Sequence, residues 1–438
     1  MVSSRGPLTE RKHFRQLVRA RVAKTGESYS SARRHILRQA PELGSGIPPL
    51  HHYPGSTPGP TALRALLSHA GVRAPHTGAP FSEAMVFGIA GGIGAGMFTF
   101  HYARENVSSF FVAGRHLWHD HAAWALAAVK RMGLKAVVKE SSGVKPGEKH
   151  LRELLDGGRP VMTWLTFRGK MYHIVTVHAI DDAKGTALVG DLADELIPVP
   201  LAELAEARGR AKKDRNRLLA LEPSSRAPDL ENLVRQGIAA CVDGLTNARM
   251  KNFTLQAFAT WADRLDGSRA PDGWEKIFPP GPHLFQGLRS VTEYVEHNGT
   301  GGGLCRPLFA EFLEEAGSAV EDRRLTALAA RYRELGREWT ALAEAALPDD
   351  VPAFRSAKEL LGRKVEAESG GAAGQDPARS ECQQAMDALA GRMKEEFPLD
   401  AAGSATLRRE LKRRVTALHE AEVAALGELR KAAGATPG

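Results

Sequence analysis

The stretch Tyr172-His-Ile-Val-Thr-Val-His-Ala-Ile-Asp-Asp182, followed by Ala187-Leu-Val-Gly-Asp191, decides the fold. Ile174, Val175 and Val177 form a β-branched apolar run bounded by charge, as in a largely buried strand. Asp181-Asp182-Ala183-Lys184-Gly185 supplies a turn, and residues 187–189 start the return strand. A histidine at the start of one strand thus comes level with an aspartate at the end of its partner. His173 and Asp191 can then face each other, with the carboxylate orienting an imidazole base. The same spacing also fits a histidine that caps a strand and an aspartate that opens a turn.

Upstream of this hairpin, residues 160–165 read as a strand, 147–156 as a helix closed by Gly157-Gly158, 135–139 as a strand and 124–132 as an amphipathic helix. Residues 109–112 read as a strand that ends at Gly114-Arg115. Residues 61–71 form a short helix with Leu63, Leu66 and Leu67 on its apolar face, and Ser82-Glu83 opens another through Phe87. The run that follows, residues 88–96, holds five glycines including Gly91 and Gly92. No lysine follows at phosphate-loop spacing and no strand precedes, so close backbone packing or the lining of a thin ligand arm explains it better than nucleotide binding. His116, His119 and His121 lie beside Trp118 without acidic or cysteine partners at ligand spacing, which fits an ordinary exposed helix start better than a metal site. Downstream, residues 200–212 read as a helix and 217–221 as a last strand.

From Asp229 the pattern is helical only, with segments near 229–265, 283–297, 306–316, 322–347, 350–368, 378–396 and 404–434. One irregular stretch interrupts it, His297-Asn-Gly-Thr-Gly-Gly-Gly-Leu-Cys-Arg306. Four glycines in five positions between helices make a tight loop with available backbone amides, and an arginine follows directly. That density of glycine points to function.

The net charge of +8 is concentrated at one end: ten Lys/Arg against two acids among residues 1–38 account for all of it. Residues 10–24 and 28–38 form a basic helical hairpin, fit either for an acidic partner (nucleic acid or an acidic carrier protein) or for a solvated accessory role. Residues 41–60, with six prolines, read as a linker or extended lead-in. Cys241, Cys305 and Cys382 are odd in number and widely spaced, which excludes a disulfide framework and a zinc site. No apolar run reaches membrane-spanning length and no signal-peptide core follows the basic start, so a cytoplasmic protein is expected.

Several of these residues also carry a family resemblance. Thr61-Ala-Leu-Arg-Ala-Leu-Leu, Phe81-Ser-Glu-Ala-Met-Val-Phe-Gly-Ile-Ala-Gly-Gly-Ile-Gly94, Phe111-Val-Ala-Gly-Arg115 and the His173 and Asp191 strands resemble the N-terminal domain of the butirosin-biosynthesis H protein family. Asn298-Gly-Thr-Gly-Gly-Gly-Leu-Cys-Arg-Pro-Leu-Phe-Ala-Glu-Phe-Leu313 resembles the helical domain of unknown function that follows it there. The resemblance spans roughly residues 50–350. It implies an α+β fold: a papain-like or bacteriocin-peptidase-like domain with an antiparallel sheet, followed by an all-α domain. The expected layout is a basic hairpin over 1–40, a linker over 41–60, the papain-like domain over 61–225, a helical domain over 226–368 and a linker with a charged helical tail over 369–438.

The founding member of that family is an acyltransferase that moves an aminoacyl chain from an acyl carrier protein to an aminoglycoside amine. The resemblance therefore implies His173 as base and Asp191 as its orienting acid. It also implies a nucleophile at the N-terminus of the first helix, where a thiol's pKa is lowered. Here the chain departs from the family. Ser56-Thr-Pro-Gly-Pro-Thr61 has no cysteine, and Pro58 stands at the aligned position. Ser56, Thr57 or Thr61 are the available hydroxyl substitutes, and Cys305 would serve only if the glycine-rich loop folded over the site.

The leading expectation is an acyltransferase of specialised metabolism that takes an acyl thioester from an acidic acyl carrier protein to a small-molecule or peptide amine. Ser82, Glu83, Gly91, Gly92, Gly301 and Gly302 would line the cleft, with Arg115 or Arg306 meeting an anionic group. No cofactor is expected beyond the carrier's phosphopantetheine thioester, and no metal. The rivals are a catalytically silent scaffold and a peptidase or amidase of the same fold. Nucleic-acid binding through the hairpin is a weaker expectation, and homodimerisation stays open.

Overall fold

The computed structural model of the chain describes residues 7–39, 50–102, 104, 107–114, 122–166, 172–369 and 377–433. It opens with α1 (Pro7–Thr25), α2 (Tyr29–Gln39), α3 (Pro58–His69) and α4 (Glu83–Ile89). A separate antiparallel hairpin of β1 (Gly96–Tyr102) and β2 (Val107–Ala113) follows. Then come α5 (Ala123–Arg131), β3 (Ala136–Lys139), α6 (Val144–Asp156), β4 (Val161–Thr166), β5 (Tyr172–Asp181), β6 (Thr186–Gly190), β7 (Ile197–Pro200), α7 (Leu201–Arg210) and β8 (Leu218–Leu221). The order across the main sheet is β3-β8-β4-β5-β6-β7, and each neighbouring pair is antiparallel. The class is α+β, as the family resemblance implies.

The sheet is buried on both faces by period-two alternation. Met162, Trp164, Ile174, Leu219 and Leu221 join one core with α3, α4 and α5. Val161, Leu165, Val175, Val177, Val189 and Val199 meet Leu151 and Leu154 of α6 and Leu204 and Ala207 of α7. Each such side chain contributes about 1.5–3 kcal/mol on burial, so this hairpin is held from two sides. Two strands lie outside the expectation. β7 reads Ile-Pro-Val-Pro, and its prolines suit the edge position it takes. β1 begins on Gly96, the last residue of the glycine run.

The remainder is helical: α8 (Leu230–Thr246), α9 (Gln256–Leu265), α10 (Trp274–Ile277), α11 (Pro282–Thr292), α12 (Arg306–Ala319), α13 (Arg323–Ala346), α14 (Pro352–Ser369), α15 (Pro377–Arg392) and α16 (Ala401–Ala432). The single helix expected over 229–265 is two, because Asn247 ends α8 and a 3-10 turn at Lys251–Phe253 intervenes. Phe253 is needed there, edge-on to Phe98 of β1 at 4.9 Å between ring centres. Leu411, Val415, Leu418, Glu422, Ala425 and Leu429 form a buried stripe along α16, which packs on α9 and α13. The large core runs from α3, α4 and α5 into α8 through α16.

The basic hairpin is likewise packed. Val18, Tyr29 and Ala32 form a small core with Val22, Ile36 and Val365 of α14, and Arg19 pairs with Glu366. Among the described residues no helix is long and apolar enough to cross a membrane.

Candidate functional site

His173 is the second residue of β5, and Asp191 is the first residue beyond β6. Their ladder pairs Thr176 with Gly190, then shifts register between Val177 and Ala179. His173 Nε2 lies 2.7 Å from Asp191 Oδ1. A carboxylate only accepts, so Nε2 carries the proton and Nδ1 is left as the basic nitrogen of the neutral ring. The Asp191 side chain is 2% exposed and that of His173 is 11% exposed. Oδ1 of Asp191 also accepts the Leu192 N–H at 2.8 Å.

Leu192 connects this pair to the first helix of the domain. Its carbonyl accepts the Gly55 N–H at 3.2 Å, and Gly55 immediately precedes Ser56-Thr57-Pro58. α3 begins at Pro58, three residues before the expected start at Thr61, with Thr57 as N-cap at φ −129°. Proline suits the first helical position because its missing N–H would have no partner there. The structure thus sets the cysteine-less helix terminus beside the His173–Asp191 pair.

The three candidate hydroxyls share one acceptor, Glu83 at the start of α4. Ser56 Oγ donates to it at 3.2 Å and Thr61 Oγ1 at 3.3 Å, and Thr57 Oγ1 donates over a short contact. The backbone N–H groups of Ser56 and Thr57 reach the same carboxylate at 3.0 and 2.7 Å. A fixed anion therefore occupies the N-terminal end of α3. Ser82 caps α4 by accepting the Met85 N–H at 2.9 Å and donates to Glu315 of α12, which ties it to the helical region.

The glycine-rich loop closes over this terminus. A Cβ on Gly301 would lie 3.1 Å from Ser56 Oγ, and one on Gly299 3.7 Å from Pro58. Five consecutive residues have positive φ, Gly301 (66°), Gly302 (90°), Gly303 (53°), Leu304 (51°) and Cys305 (68°). Glycine accepts this at no steric cost, whereas Leu304 and Cys305 hold strain that the fold must support. Part of the support is Glu296, in a π-turn at Glu293–His297, which accepts the Gly303 N–H at 3.1 Å and the Thr340 hydroxyl at 2.6 Å.

Other candidates stand elsewhere. A Cβ on Gly92 would meet the Phe309 ring at 2.5 Å, and Gly91 faces Ala240, so this pair serves close packing on α12 and α8. Arg306 is fully buried. Its Nε donates to Glu422 of α16 at 2.6 Å and its Nη1 to the Leu304 carbonyl at 2.8 Å, so the anion it meets belongs to the protein itself. Cys305 is buried at the N-cap of α12, where a Cβ on Gly114 would come within 3.1 Å of its Sγ. Arg115 and the triplet of His116, His119 and His121 lie outside the described residues. Among the described residues no group of three or more His, Cys, Asp or Glu could hold a metal ion.

Sequence reasoning passed over four site neighbours. Arg33 and Arg34 of α2 reach in from the hairpin: Arg33 donates to the carbonyls of Gly55 and Leu192, and Arg34 donates to that of Gly301. The available signal was that Arg33 falls within the apolar stripe of Tyr29, Ala32 and Ile36. The other two are histidines. His52 Nε2 lies 2.7 Å from the Ala193 carbonyl oxygen, and its ring is edge-on to His178 at 5.8 Å. Burial lowers the pKa of both, that of His178 to about 3, with repulsion from His52, His69 and His51 adding to the loss.

Comparison with known protein families gives two matches. Residues 58–192 match the model described as Butirosin biosynthesis protein H, N-terminal. Residues 201–369 match a Domain of unknown function (DUF4872). A comparison with curated proteins found no match. The first match begins at Pro58 and ends one residue beyond Asp191, so it contains His173 and Asp191, while the second contains the glycine-rich loop. With both domains present in that order, the chain belongs to the butirosin biosynthesis protein H family.

Proposed function

We propose that the chain is an acyltransferase of antibiotic-type specialised metabolism, with a papain-like layout of helix terminus and His–Asp pair. It moves an acyl or aminoacyl group from a carrier-protein thioester to an amine. The observation that carries this reading is the 2.7 Å bond from His173 to Asp191 beside the N-terminus of α3. Family membership supports the biosynthetic setting.

In this reading transfer is direct. The amine nitrogen attacks the thioester carbonyl as Nδ1 of His173 takes its proton. The C–N bond forms, the C–S bond breaks, and the imidazolium returns the proton to the departing pantetheine thiolate. Asp191 keeps the ring in the required tautomer and stabilises its charged form. Two features favour direct transfer over an acyl-enzyme: Pro58 occupies the position of the thiol, and the hydroxyls of Ser56, Thr57 and Thr61 all donate to Glu83. The carrier docks elsewhere than on Arg33 and Arg34, whose guanidinium groups are turned inward.

The test is thiol release from acyl-loaded carrier proteins and acyl-pantetheine analogues, with and without a panel of amines, for wild type and His173→Ala. Amine-dependent release that collapses in the variant supports transfer. Release without amine favours a hydrolase. Carrier binding with no release by any donor favours a catalytically silent scaffold.

A further inference from the structure

We propose that the α1–α2 hairpin, which precedes both family domains, is a working part of this site, and that Arg33 is its positioning residue, fixing Asp191 against His173. The proposal rests on the reading of His173 and Asp191 as the base and its orienter. The geometry is a chain of backbone contacts. Asp191 Oδ1 accepts the Leu192 N–H, so the 192 peptide sets where that carboxylate lies. The carbonyl of Leu192 is held in turn by the Gly55 N–H and by Nη2 of Arg33. Nη1 of Arg33 takes the Gly55 carbonyl. One planar guanidinium therefore spans the two segments whose separation defines the site, the lead-in to α3 and the exit from β6.

A cation in so dry a place is costly unless its surroundings compensate it. Arg33 is only 5% exposed, and burial pulls its pKa down, opposed by Tyr29, Glu83, Asp191 and Asp194. Two of those four, Glu83 and Asp191, are the carboxylates of the site. The adjacent Arg34 extends the clamp to the third segment: it donates to the Gly301 carbonyl and pairs with Glu311 of α12 at 3.4 Å. Two neighbouring residues of α2 thus tie down the helix terminus, the acid and the glycine-rich loop. Simple anchoring of a hairpin needs none of these groups, because Val18, Tyr29, Ala32 and the Arg19–Glu366 pair already supply it.

The experiment uses the full chain with nitrogen-labelled histidine. It follows the Nε2–H resonance of His173, assigned by its loss in His173→Gln, in wild type, Arg33→Met, Arg33→Lys and the hairpin control Arg19→Met. Thermal melts confirm folding. Arg33→Met should move or broaden the resonance and speed its exchange with solvent, and Arg33→Lys should do so less, since a lysine keeps the charge without the fork. Arg19→Met should leave the resonance in place. An unmoved resonance in folded Arg33→Met overturns the proposal and leaves Arg33 as an anchor; should that variant not fold, an unmoved resonance in Arg33→Lys decides the same way. Acyl transfer is a separate arm: the proposal expects kcat to fall with KM for the carrier unchanged. A responsive resonance in a protein that transfers nothing would keep the positioning and sink the transferase reading.

Discussion

Nε2 of His173 lies 2.7 Å from Oδ1 of Asp191, and the bond fixes which ring nitrogen can act as a base. With the proton on Nε2, Nδ1 is the acceptor. His173→Ala should therefore lower amine-dependent transfer by about 10²–10⁴-fold, the usual contribution of a positioned general base. Asp191→Asn should fall in the same range, because an amide can donate to Nε2 and favour the wrong tautomer. In both variants KM for the carrier should stay within a few-fold. A loss confined to KM would assign the pair to binding.

The hydroxyls at the α3 terminus give a second test. Ser56→Ala, Thr57→Val and Thr61→Val each remove a hydroxyl that donates to the Glu83 carboxylate, and each should cost roughly 1.5–3 kcal/mol of stability. Glu83→Ala strips the partner from three hydroxyls and two backbone N–H groups together, so its thermal midpoint should fall further than any single hydroxyl variant. Direct transfer predicts that the hydroxyl variants keep their turnover while they remain folded. An acyl adduct found by mass on the peptide that contains Ser56 and Thr57 would sink that mechanism.

The sequence disclosed the central hairpin and its His–Asp pair because both are local. β-branched residues, a turn and a separation of eighteen positions suffice to bring strand ends together. The helical region was legible for the same reason, as its periodicity repeats within each segment. What stayed hidden depends on contacts between distant segments. Arg33 lies 159 positions from Leu192, and Arg34 lies 267 from Gly301, so in sequence their charge fits an acidic partner or a solvated face. Arg306 read as a ligand-binding cation because nothing near it in sequence reveals Glu422. In sequence Gly92 fits close packing or a ligand lining equally, and the Phe309 ring that stands where its Cβ would lie decides for packing.

Arg306 and Glu422 supply a third prediction, about stability. The pair is fully buried, and Trp339 Nε1 also donates to Glu422 Oε1 at 2.8 Å. Arg306→Met leaves the buried Glu422 carboxylate beside the Trp339 indole without its cation, and should destabilise by about 3–5 kcal/mol. Removing both charges with Arg306→Met and Glu422→Leu should recover a good part of that loss, since no ion is then stranded. Urea melts of the four proteins give the coupling. Strictly additive losses would mean that the two residues act independently, and that α16 is held by its apolar stripe alone.

The acid dependence of stability follows from the histidines behind the sheet. Burial, with neighbouring imidazoles adding to it, holds His178 at a pKa of about 3, and burial lowers that of His52, so both are neutral in the folded chain near neutral pH. In the unfolded chain a histidine titrates near 6.5, so between that value and the folded pKa the unfolded state binds more protons. The stability these groups contribute is fully present above about pH 6.5 and is lost as the pH falls through that window. For His178 its slope approaches about 1.4 kcal/mol per pH unit inside that window. Urea unfolding between pH 7.5 and 4.5 should show this decline, and His178→Gln should make it shallower. An equal slope in wild type and variant would mean that His178 is protonated at little expense, and that another group governs the acid limb.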